Sequence, residues 1–122
     1  MDKFFNFLGL AKRSRNLLEG YSKCNEGKRK QKIFLFIISK DASDSTKRKF
    51  INYCEINKIP YIHDFLKEEL GEALGREEIK ILALTDNNMA DKLLTLYKEE
   101  NVWINTGVTV CQKSEYMNWQ KN

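Results

Sequence analysis

The sequence predicts an α/β protein, a three-layer α/β/α sandwich around a mixed, largely parallel sheet of about four strands. Three observations carry this. Short apolar runs alternate with longer segments of helical periodicity, the pattern of crossover units that lay helices on both faces of a sheet. The run Ile33-Phe34-Leu35-Phe36-Ile37-Ile38 is continuously apolar and rich in β-branched and aromatic side chains, as a strand covered on both faces requires. A chain of 122 residues, 42% hydrophobic and 31% charged with a single proline, is also large enough to bury about two thirds of its unfolded surface in one core.

Each element has its own signal. Phe4, Phe5, Phe7, Leu8 and Ala11 recur at helical spacing and predict a helix over 2–12, with Lys12 and Arg13 at the end where the helix dipole favours cations. Asn16-Leu17-Leu18-Glu19 is a brief strand ended by Gly20. The helix expected over 21–30 is the weakest, because its apolar stripe is only Tyr21 and Cys24, and Gly27 weakens it by about 1 kcal/mol relative to alanine. After the strand at 33–38, Ser43 or Asp44 caps a helix with Phe50, Ile51 and Cys54 on one face. Ile59-Pro60-Tyr61-Ile62 reads as a strand with proline at its start, where a missing ladder donor is tolerated. Leu66, Leu70, Ala73 and Leu74 mark a short helix closed by Gly75. Ile79 to Leu84 is the last core strand, and Asp86 or Asn87 caps a helix that turns Met89, Ala90, Leu93, Leu94 and Tyr97 inward. Residues 1–100 thus form one domain. VWINTGVTVC alternates like an edge strand and KSEYMNWQKN has no periodicity, so 101–122 is a tail without an assigned role.

Several function classes are excluded at this level. No window approaches the ~18 apolar residues of a membrane span, so a cytoplasmic protein is expected, and, as a separate expectation, a monomer. Cys24, Cys54 and Cys111 are widely spaced and odd in number, which supports neither a disulfide framework nor a metal site and predicts packed, reduced thiols. Neither of the glycine-rich phosphate motifs of nucleotide enzymes occurs. His63 is the only histidine and is expected to be an ordinary surface residue, since no sequence feature brings a serine or cysteine to it. The reading is a non-enzyme without cofactor or metal; a hydrolase or transferase would need an unseen site around His63.

Charge is informative when divided by position. Residues 1–40 hold ten Lys and Arg against three Asp and Glu, and residues 41–122 hold eleven against fourteen. A one-sided basic region is the footprint of a polyanion binder, because neutralised phosphates release condensed counterions. Two glycine-bearing stretches give that charge a shape. Gly20-Tyr21-Ser22-Lys23 opens a helix, where orphan N–H groups and the positive dipole end favour phosphate. Leu70-Gly71-Glu72-Ala73-Leu74-Gly75 holds a glycine inside a short helix, which asks for tight packing or the approach of another backbone.

AKRSRNLLEGYSKC, IFLFII followed by SKDAS, the helix with Cys54-Glu55 before IPY, and KEELGEALG followed by IKILALTD together resemble the ribosomal protein L7Ae family, in particular its bacterial YlxQ-type branch. The resemblance runs from about residue 4 to residue 99. It implies a small non-catalytic α/β/α protein that binds a kink-turn, a sharply bent RNA internal loop with tandem sheared G·A pairs. In such members the helix after the first glycine enters the groove at the G·A pairs, and the leucine-glycine loop covers a splayed-out nucleotide. Carried onto this chain, the RNA-binding residues are Lys12, Arg13, Arg15, Gly20, Tyr21, Ser22, Lys23, Leu70, Gly71, Ala73, Leu74 and Gly75. Many members have Asn-Glu where this chain has Ser22-Lys23. Ser22 keeps a hydroxyl for a base edge, whereas Lys23 is donor-only and suits phosphate, which holds affinity and relaxes base specificity. The expected partner is structured, ribosomal RNA, on or near the ribosome. The second reading is a protein-interaction adaptor in an RNA-processing or ribosome-assembly complex, motivated by Trp103 and Trp119 in the tail.

Overall fold

A computed structural model describes residues 2–101. The tail expected over 101–122, with Cys111 and both tryptophans, lies outside the described residues apart from Asn101. The chain runs α1 (Asp2–Arg13), β1 (Leu17–Glu19), α2 (Tyr21–Lys30), β2 (Leu35–Ile38), α3 (Asp44–Asn57), β3 (Tyr61–Ile62), α4 (Lys67–Ala73), β4 (Ile81–Leu84) and α5 (Asn87–Asn101). All nine expected elements form among these residues. The strands are trimmed to where their ladders pair: Ile33 and Ile79, each buried, sit just before the strands that they were expected to open.

Alternation along the strands builds the three layers. Leu35 and Ile37 of β2, with Leu82 and Leu84 of β4, face α1, α4 and α5, where they meet Phe4, Leu8, Leu70, Leu93 and Tyr97. Phe36, Ile38, Ile81 and Ala83 face the other way, onto Cys24 of α2 and Phe50 and Cys54 of α3. Both faces of β2 and β4 are therefore buried, which is why their sequences are continuously apolar rather than alternating.

The sheet order is β1-β4-β2-β3. It is mixed, as expected: β1, β2 and β3 point the same way, β2 pairing with β3 in parallel, while β4 between them runs antiparallel to both β1 and β2. The connecting helices differ in length accordingly. Helices α2 and α3, of ten and fourteen residues, carry the chain back along the sheet so that the next strand starts at the opposite end. Helix α4 has only seven residues, spanning ~10 Å, and the chain re-enters the sheet from the end at which β3 left it. Strand β4 then fills the gap between β1 and β2. One edge of the sheet thus gathers the ends of β1, β2 and β3, the start of β4 and the whole of α4. It is fastened by Ser39 N–H to Lys80 O at 2.8 Å, Lys40 N–H to Phe65 O at 2.9 Å and Gly20 N–H to Ile81 O at 2.9 Å.

Cys24 and Cys54 are buried and in no disulfide among the described residues, and burial, followed by the nearby Glu19 carboxylate, pushes the Cys24 thiol up to about 12. The α2 glycine has a packing role that the sequence did not disclose: a side chain at Gly27 would run into Leu18 of β1, so its absence lets α2 lie against the sheet. Tyr21, expected to share the inward stripe of α2, is instead 43% exposed.

Candidate nucleic-acid interface

Two helices end at the same edge of the molecule in the same way. At the end of α1, Asn16 N–H donates to Ala11 O at 2.9 Å and Arg15 N–H to Lys12 O at 3.0 Å, with Arg15 at φ 65°. At the end of α4, Arg76 N–H donates to Gly71 O at 2.8 Å and Gly75 N–H to Glu72 O at 3.4 Å, with Gly75 at φ 76°. Both are Schellman terminations, which place one left-handed residue just past the helix. Glycine takes that position without strain at 75. At 15 an arginine holds it, exposed to solvent, and the left-handed region is strained for a side chain of that size.

A carboxylate ties the two ends together. Glu19, the last residue of β1 and only 12% exposed, accepts from Arg76 Nε at 2.7 Å and lies 3.5 Å from Lys12 Nζ. Lys12 Nζ in turn donates to Leu74 O at 2.7 Å, satisfying one of the carbonyls that the end of α4 leaves open. The β1–α2 and α4–β4 stretches, fifty residues apart in sequence, therefore form one continuous surface. Glu19 and Arg76 were not among the residues singled out from sequence. A lone Glu before a glycine and an Arg after one carry no local signal, because each acquires its role only from the other.

Within that surface the sequence-derived residues divide by position. Gly20 has φ 96° and ψ 164°, a conformation essentially restricted to glycine, and a Cβ there would meet no protein atom within 4 Å. The backbone shape, not crowding by the rest of the protein, demands this glycine. It opens α2, whose first turn has no side-chain cap and no acidic residue. Tyr21, Ser22 and Lys23 are exposed there, and so are Arg13 and Arg15 at the end of α1. Lys12 is partly withdrawn into the internal bonds just described, so it organises the surface.

In the second stretch Leu70 is 0% and Leu74 5% exposed, and Gly71 is buried with them. The glycine is required because the chain folds back over it: a Cβ at 71 would stand 2.6 Å from Glu78 Cα, 2.7 Å from its N and 2.8 Å from Arg76 O. These are backbone atoms that cannot step aside. The outer surface of the stretch is carried by Glu72, Ala73 and Gly75. His63 is exposed and stacks at 5.5 Å on Tyr61.

The comparisons with known proteins agree with this architecture. The profile of the "Ribosomal protein L7Ae/L30e/S12e/Gadd45 family" matches residues 2–94. The chain is 32% identical over 94 residues to "RNA-binding protein YlxQ" of Bacillus subtilis (strain 168), covering 77% of this chain and 94% of that protein. A protein of the same description from Enterococcus faecium is 28% identical over 90 residues, covering 74% and 86%. A solved structure described as "a protein with unknown function from Bacillus halodurans C" superposes with a TM-score of 0.72 at 32% identity, covering 77% of this chain and 95% of that one. With a family profile spanning three quarters of its length and this shared fold, the chain belongs to the ribosomal protein L7Ae/L30e/S12e/Gadd45 family.

Proposed function

We propose that this protein binds structured RNA without catalysis, and that its ligand is a kink-turn, with ribosomal RNA as the source. The observation that carries the reading is the fastening of the two glycine-flanked stretches into one surface through Glu19, Lys12 and Arg76. Membership of a family whose named relatives are RNA-binding proteins supports the same ligand class. Bent RNA exposes base edges and backbone that a regular A-form groove hides, and a compact, preformed edge suits such a target.

In this reading the uncapped N–H groups of α2 and the Ser22 hydroxyl approach the base edges, Gly20 lets the strand come close, and Arg13, Arg15 and Lys23 take phosphates. Ala73 and Gly75 offer a flat backbone ledge to an unstacked nucleotide. Leu70, Gly71 and Leu74 hold that ledge from inside.

Fluorescence anisotropy with a kink-turn RNA and a regular duplex of equal length tests the proposal. Neutralising four to six phosphates gives a log–log salt slope of roughly −3 to −5, with the kink-turn favoured over the duplex. Equal affinity for the two RNAs would reject kink-turn recognition, and a flat salt dependence would reject RNA binding itself.

A further inference from the structure

Helices α2 and α3 lie side by side on one face of the sheet, and between them stand two lysines that no carboxylate neutralises among the described residues. Lys49 Nζ donates to Tyr21 OH at 2.9 Å and sits 5.1 Å over the Tyr21 ring. Lys28 Nζ lies 4.8 Å over the Tyr53 ring and 5.5 Å over that of Phe50. Tyr21 and Phe50 meet edge to face at 5.5 Å, so one aromatic shelf carries both cations. The acidic residues of these helices are engaged elsewhere: Glu26 pairs with Lys30 at 2.8 Å, Asp44 stands 4.0 Å from Lys47, and Glu55 accepts from Tyr61 OH at 3.1 Å. Partial burial, and then the charge of Lys49, pull Lys28 below the usual lysine range.

The shelf is continuous with the surface already described, because Tyr21 is the first residue of α2 and follows Gly20 directly. A strand leaving the start of α2 reaches Lys28 after ~10 Å along the helix. We propose that Lys28 and Lys49, held on the Tyr21–Phe50–Tyr53 shelf, form a second phosphate-binding arm that grips the RNA strand beyond the bent core of the ligand. This rests on the RNA-binding reading above and extends it to α3, a helix in the stretch 41–122, whose net charge is negative. The aromatic faces hold the two ammonium groups in place by cation–π attraction, which reduces the ordering that binding would otherwise demand.

The test uses the 122-residue chain, a kink-turn RNA with one arm extended and the same RNA with that arm cut short. The double variant Lys28→Gln/Lys49→Gln should lower the salt slope on the extended RNA by about 1.5 and weaken binding roughly tenfold at 0.1 M salt. On the short-armed RNA it should behave as the parent does. Lys28→Arg/Lys49→Arg should keep the parent slope, and Lys92→Gln, exposed on α5 in the opposite layer, should change neither quantity. Thermal unfolding of each variant confirms that the fold is retained. If the parent binds the extended RNA steeply while the double variant keeps the full slope, the arm is refuted and the RNA reading stands. If the double variant instead loses affinity only for polyglutamate, the shelf serves an acidic polypeptide and the proposal fails. A parent with no RNA affinity would overturn both readings together.

Discussion

At the scale of single residues, the positions that set this surface are those where backbone geometry leaves no choice. Gly71 is packed against the backbone of Arg76 and Glu78, so Gly71→Ala forces the α4–β4 turn outward. It should lose about 2–4 kcal/mol of unfolding free energy in urea, as an overpacked core site does, and any drop in RNA affinity would follow from unfolding. Arg15 presents the opposite case. It holds a left-handed conformation that glycine adopts more readily, so Arg15→Gly should leave stability unchanged or raise it by up to about 1 kcal/mol. The same change should reduce the salt slope of RNA binding by about one phosphate. A variant that is no less stable and yet binds more weakly would show that the strain at 15 is kept for the ligand.

At the scale of elements, α4 is the piece that the sequence described least completely. Its first turn is satisfied from two directions: Glu69 accepts from the Leu66 N–H at 2.8 Å, and Asp41, in the turn after β2, accepts from the Lys67 N–H at 3.0 Å. Desolvation pushes the Asp41 carboxyl up, but the backbone N–H of Lys67, its own N–H and the Lys67 charge outweigh that and hold it below the ordinary aspartate value of 3.8. A carboxyl with a depressed folded pKa adds stability above its ordinary value and loses it as pH falls through the folded one. Thermal melts should therefore show Asp41→Asn less stable than the parent near neutrality, with the gap closing below pH 3.8. A gap that stayed constant with pH would mean that the carboxylate charge is not what holds α4.

At the scale of the whole molecule, the two stretches that form the surface are joined through a few polar groups. Glu19 is largely buried and its partners are half exposed, so its bond to Arg76 belongs between surface and buried pairs in strength. A double-mutant cycle with Glu19→Gln and Arg76→Gln should return a coupling of about 1 kcal/mol in stability. Glu19→Gln should also weaken RNA binding although it removes a negative charge from a basic surface, because it uncouples the β1–α2 stretch from α4. Tighter binding by that variant would make Glu19 a simple repulsive charge and remove its organising role.

The apolar run at 33–38, the helical stripes and the caps fixed the number, kind and order of the elements, because hydrophobic period and turn chemistry are local properties of the chain. The basic first third and the two glycine stretches were legible for the same reason. What the sequence by itself could not give was the direction of β4, the ion pairing of Glu19 with Arg76, the exposure of Tyr21 and the backbone that lies against Gly71. Each of these depends on which distant segment comes to rest beside a residue, and strand pairing and side-chain contact across fifty positions are decided only when the layers pack.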